Sequence, residues 1–224
     1  MASTMPAAFW SWKDLALGVA LFVPSVIAGS LLGRFIPASQ PVQQLLAQLI
    51  AYAIWFVALR FVFLTAYQVP LMEALGWHNN GYIGTCVLAG IVLAFAVAYT
   101  GTALNAPVVD PPYKALFADR WSLMLFALGG VVAGPIAEEL IFRGFLMPLL
   151  VKWMHGALAA VAVAAPFALL HGPGYQWSWQ HIVLLFLAGT MFGLVRWKLD
   201  STLASSVMHS AYNLTFLAGI ILNG

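Results

Sequence analysis

YIGTCVLAGIVLAFAVAYTGTAL, residues 82–104, runs for 23 residues without one charged side chain. A stretch of that length and character crosses the ~30 Å hydrocarbon core of a bilayer as a single helix. Working outward, comparable apolar blocks cover Asp14–Gly33, Val42–Ala66, Trp121–Val151, Gly156–His171, His181–Trp197 and Thr202–Leu222. With Tyr82–Leu104 they make about seven spans, six and eight being the neighbouring counts. Breaks rich in Pro, Gly and Asn separate several of them, at Pro37–Pro41, Trp77–Gly81, Pro107–Pro112 and Gly172–Gly174. Aromatic residues recur near the ends, where amphipathic rings sit at the membrane interface. The expected fold is all-α, a polytopic transmembrane helical bundle.

Composition excludes the alternatives. Hydrophobic residues make up 63% of the 224 and charged residues only 7%, against about a quarter charged in soluble domains. The net charge of +2 comes from scattered basic residues, so no nucleic-acid surface is expected. Cys86 is the single cysteine, which rules out an intrachain disulfide and a cysteine-based metal site. No positive side chain precedes Lys13, and the apolar run after it is long for a signal-peptide core, so a retained first span is expected. With seven spans, Lys13, Lys152, Arg196 and Lys198 fall on the side of the N-terminus, and Arg34, Lys114 and Arg120 on the other. The positive-inside bias then favours a cytoplasmic N-terminus.

The fourth span is about 31 residues, roughly 46 Å as continuous helix, and contains Pro135 and Pro148. It is expected to kink, protrude or break before Pro148. In its middle lies Ala133-Gly134-Pro135-Ile136-Ala137-Glu138-Glu139-Leu140-Ile141-Phe142-Arg143-Gly144, holding two of the chain's three glutamates. Charge at that depth is costly unless paired or hydrated, which makes it a functional candidate by default. Glu139 and Arg143 stand at i and i+4 and can pair on one face. Glu138 points about 100° away and is left for another partner. Two further polar sets follow: Phe167-x-x-x-His171 at the end of the fifth span, and His209-x-x-x-Asn213 in the last.

Depth relates these sets. Measured from the face holding Lys152 and Asp200 at 1.5 Å per residue, Glu138 lies about 21 Å in, or roughly 14 Å if the helix stops before Pro148. His171 lies about 23 Å in, His209 about 13 Å and Asn213 about 19 Å. Taken singly, an intramembrane His or Asn is more often an interhelical hydrogen-bonding residue, and a Glu–Arg pair is more often structural. Two histidines and two glutamates at one level exceed what helix association needs, and suggest one buried, hydrated site.

That set permits three chemistries. A carboxylate and a histidine can activate a water, with a second His and an Asn amide as donors to a developing oxyanion, giving acyl or peptide hydrolysis. Glu138, His171 and His209 can instead hold zinc with an open position. They can also relay protons in a transporter. Neither H-E-x-x-H nor G-x-S-x-G is present.

The run Glu138-Glu139-x-x-x-Arg143, Phe167-x-x-x-His171, His209-x-x-x-Asn213 resembles the three-motif signature of the type II CAAX prenyl endopeptidases and bacteriocin-processing proteins. Order and spacing match, as does the setting Phe142-Arg143-Gly144, and the resemblance covers roughly Trp121 to Leu222. Residues 1–120 are then non-diagnostic spans with a connecting loop, and 121–224 a catalytic four-helix membrane core. The resemblance implies an intramembrane endopeptidase acting on a membrane-associated peptide or protein, prenylated or bacteriocin-like. Carried over by position, Glu138 and His171 activate the water, and His209 and Asn213 form the oxyanion hole. Glu139 and Arg143 secure the helix, with Phe167 in support. No cofactor is expected, zinc on Glu138, His171 and His209 being the alternative. The expected setting is the inner membrane of a prokaryote, among lipids. A non-proteolytic immunity or scaffold protein and a proton-coupled transporter are the rival readings.

Overall fold

The computed structural model describes residues 8–109, 114–117 and 119–223. The expected first span Asp14–Gly33 lies within these, while Pro111, Pro112 and the side chain of Lys114 lie outside. Among the described residues every regular element is helical. The long helices are α1 (Trp12–Gly33), α2 (Gln40–Tyr67), α3 (Ile83–Ala103), α4 (Arg120–Val151), α5 (Gly156–Leu170), α6 (Trp179–Leu199) and α7 (Thr202–Asn223). They follow the seven apolar blocks in order.

Five of them, α1, α2, α3, α4 and α6, are long and apolar enough to cross a membrane. Helix α5 has 15 residues, about 22 Å, and α7 has the length but carries serines, a histidine and an asparagine. These two supply His171, at the end of α5, and His209 and Asn213, within α7. Large apolar residues stand exposed in rows one turn apart, Val19, Val23, Ile27 and Leu31 on α1 and Leu88, Val92, Phe95 and Tyr99 on α3. Such faces suit lipid contact.

The most extensive helix pairs are α1 with α2, α5 with α6, and α3 with α7. Helix α4 joins the groups. Its Leu140, Phe145 and Leu149 pack with Trp55, Leu59 and Phe63 of α2. From its other side Phe142 and Met147 pack with Phe167, Phe192 and Met208. The acidic pair is therefore held in the central wall. At Gly90 of α3 a Cβ would run into the Met208 carbonyl and the Ala211 methyl, so α3 and α7 approach through this missing side chain. Gly90→Val is expected to cost about 1–3 kcal/mol of stability and to displace the helix turn bearing His209, seen as a lower unfolding temperature in detergent.

Of the kink, protrusion or break expected before Pro148, the break does not occur: α4 continues to Val151. Two stretches, Leu128–Ala133 and Leu140–Leu146, are wound as π-helix, each shortly before a proline. The Gly134 amide donates to the Gly129 carbonyl and the Met147 amide to that of Phe142, both i to i−5. Shifting the bonding by one residue gives carbonyls that a proline would orphan another donor, so the helix absorbs Pro135 and Pro148. Asp119 caps the start, accepting from the amides of Trp121 and Ser122, each at 3.0 Å, and from the Ser122 hydroxyl at 2.6 Å. The Ser122 hydroxyl, then the backbone amides, hold its carboxyl below the usual carboxylate range.

Arg196 is buried and paired with Asp200 at 2.6 Å, at a corner against which residues 75–80 fold. There the Thr202 hydroxyl donates to the Leu75 carbonyl and the Asn80 amide to that of Leu199.

Candidate active site

Glu139 and Arg143 pair as their spacing predicts, at 2.9 Å, with both side chains wholly buried. The second terminal nitrogen of Arg143 donates to the Gly189 carbonyl at 2.6 Å, and its guanidinium lies 4.6 Å from the Phe167 ring centre. Gly189 must lack a side chain, because a Cβ there would press on both Phe167 and Arg143. An ion pair out of water is tolerated when its remaining sites are bonded, and most are. Only Nε of Arg143 has no partner among the described residues.

Glu139 does more than secure its own helix. Its Oε1 lies 3.0 Å from Nδ1 of His209, and its Oε2 accepts from the Ser205 hydroxyl, both on α7. One carboxylate thereby ties α4 to α7 and orients the His209 ring. Phe192 stacks on that ring at 4.3 Å and 20°. Neither Ser205 nor Phe192 stood out in the sequence; a serine one turn before His209 was the available signal.

The hydrogen-bond partners fix which nitrogen of each histidine is free. His209 Nδ1 faces a carboxylate, and His171 Nδ1 faces the Phe167 carbonyl at 2.8 Å. An ionised carboxylate and a carbonyl only accept, so both Nδ1 atoms carry the hydrogen. Both Nε2 atoms then turn to Glu138. His171 Nε2 is 3.8 Å from Oε1 and His209 Nε2 is 3.8 Å from Oε2. These separations exceed a direct hydrogen bond and suit groups joined through a small molecule between them. Burial differs in a useful way: the side chains of Glu138 and His171 are 28% and 30% exposed, that of His209 only 4%.

The exposed sides open on a cavity of about 870 Å³ lined by Glu138, Phe167, His171, His209 and Asn213 together. Asn213 is committed in part, its amide nitrogen donating to the Gly130 carbonyl on α4 at 2.8 Å. A side-chain amide has two hydrogens, so one donor remains. His181 also lines this cavity; it stacks on Tyr175 at 4.6 Å and bonds the Ser178 hydroxyl. Sequence reading placed it only as the start of a span.

Zinc would have to be held by Glu138, His171 and His209. Both Nδ1 anchors are of the kind that orient metal-bound imidazoles. Among the described residues, however, no group of three or more His, Cys, Asp or Glu is arranged to hold a metal ion. Cys86 is buried on α3 and is not among the cavity-lining residues. Cys86→Ala is expected to leave activity within about twofold, checked by initial rates of the purified variant; a loss of tenfold or more would point to a thiol mechanism.

Residues 120–215 match the family model described as type II CAAX prenyl endopeptidase Rce1-like. The match begins at α4 and ends in α7, so it contains every residue of the set just described. Comparison with curated proteins and with solved structures returned no match.

Proposed function

We propose that this chain, whose residues 120–215 carry a type II CAAX prenyl endopeptidase Rce1-like domain, hydrolyses a peptide bond in a membrane-associated peptide by means of a water activated at Glu138 and His171. The family supports a CAAX-type intramembrane protease as the general class. The observation that carries the specific reading is the convergence of two Nε2 atoms, from different helices, on the two oxygens of Glu138. A water between Glu138 and His171 gives up a proton to the carboxylate as its oxygen bonds to the scissile carbonyl carbon. The C–N bond then breaks, and the proton passes from Glu138 to the leaving amine.

The carbonyl oxygen gains charge during attack and needs donors. Asn213 offers its second amide hydrogen. His209, held at Nδ1 by Glu139 and 3.8 Å from Glu138 at Nε2, faces the same cavity as the second donor. No step here is routed through a metal. The substrate class taken from the resemblance is a prenylated CAAX-type or bacteriocin-like peptide.

The test is comparative C-terminal peptidomics of cells carrying wild-type protein or Glu138→Gln. New C-termini found only with wild type support proteolysis; identical termini sets, with both proteins present in the membrane, overturn it. Stoichiometric zinc in the purified protein, with activity lost to a chelator and restored by zinc, would replace the metal-free water activation.

A further inference from the structure

A second cavity, about 540 Å³, lies between α1 and α2. Two residues line both it and the catalytic cavity: Gln48 and Tyr52 of α2. Their side chains are bonded to each other, the Gln48 amide donating to the Tyr52 hydroxyl at 2.8 Å. The two cavities therefore share a polar wall, formed by one hydrogen-bonded pair.

The wall belongs to a longer pattern. Gln40, Gln44, Gln48 and Tyr52 are each four residues apart, hence stacked on one helix face, and all four line the second cavity. The row starts at the first residue of α2 and descends about 18 Å into the span. Arg34 lies at its outer end, and Phe22 and Val26 of α1 form the opposite wall. Side-chain amides in a membrane span are disfavoured without partners, and neither helix association nor the catalytic set uses these. Helix α1 meets α2 through Gly29 and Gly33 against Ala47 and Ala51, and the glutamine that ties the chain after α1 to α2 is Gln43, off this row, donating to the Ile36 carbonyl at 2.8 Å.

We infer that the α1–α2 cavity binds an extended stretch of the peptide substrate, which reaches Glu138 past the Gln48–Tyr52 pair. Successive glutamines of the row are about 6.0 Å apart along the helix, and an extended chain repeats its groups on one side about every 6.6 Å. A peptide lying along α2 can thus meet one glutamine amide with every second residue. Each amide both donates and accepts, which matches the paired N–H and C=O of a backbone. An acyl chain has no use for such a row. Arg34 at the mouth favours an acidic or carboxylate group on the part of the peptide that remains at the interface. The inference rests on the proteolytic reading of Glu138.

A photoreactive residue placed at position 44 of the Glu138→Gln protein, in its own membrane, tests it, with the same probe at the exposed position 57 of α2 as control. The expected result is peptide adducts at 44, absent at 57, whose sequences coincide with peptides that the wild-type protein truncates. On such a peptide Gln40→Leu with Gln44→Leu, both outside the catalytic cavity, should raise KM about tenfold or more with kcat held within about twofold. A version shortened so that it cannot reach the row should show no change. Lipid adducts alone at 44, or an unchanged KM for the long peptide, would overturn the inference while leaving proteolysis intact. Identical C-termini with wild type and Glu138→Gln would remove both.

Discussion

Glu138→Gln is expected to lower peptide-bond hydrolysis by about 10²–10⁴-fold, with the purified variant unfolding at nearly the wild-type temperature. The two halves of this expectation have separate origins. Glutamine keeps the shape of the side chain, and Glu138 faces the cavity with no salt bridge to arginine or lysine among the described residues, so little packing or pairing is lost. It cannot accept a proton from water, so the chemical step loses its base. His171→Ala should fall in the same range. The double variant should be little worse than either single one, because residues that act on one water are not additive. The rivals answer differently. A binding or scaffold protein would keep its biological activity in both variants, and a proton relay would lose transport coupling with no peptide cleavage in wild type. Full hydrolysis by Glu138→Gln would end the proposal.

Much of this arrangement was readable beforehand because the bilayer imposes one rule, that about 20 consecutive residues be apolar. The span read as Tyr82–Leu104 is helix Ile83–Ala103, and the other boundaries shift by similarly small steps. The meeting of Glu138, His171 and His209 was likewise implied by counting rises along three helices. Depth says nothing about rotation, however. Nothing in the sequence indicated that Glu139, rather than Glu138, would hold His209 by its Nδ1, since the two residues are 70 apart and on different helices. The π-helical turns of α4 were hidden for a related reason: a proline announces a missing donor, but not whether neighbouring carbonyls find another. The burial of Arg196 was not legible either, because it depends on residues 75–80 folding against the corner, a tertiary contact without local pattern.

Arg143→Ala is expected to destabilise the protein by about 3–5 kcal/mol, the range for leaving one partner of a buried ion pair unmatched. The fall should appear as lower membrane yield and a lower unfolding temperature in detergent, and should exceed that of His209→Ala. Removing His209 leaves Glu139 still bonded to Arg143 and Ser205; removing Arg143 leaves a wholly buried carboxylate without its cation. Comparable losses in the two variants would contradict this assignment of the pair. A compensated variant separates stability from activity. Replacing Glu139 by Gln together with Arg143 by Met removes both charges at similar volume, so most of the lost stability should return. Hydrolysis should not return with it. A glutamine can still accept from His209 Nδ1, but places no negative charge beside the ring that serves the oxyanion. Recovery of stability with activity still at least tenfold down would give Glu139 its share in the chemistry through His209, whereas full recovery of both would confine the pair to folding.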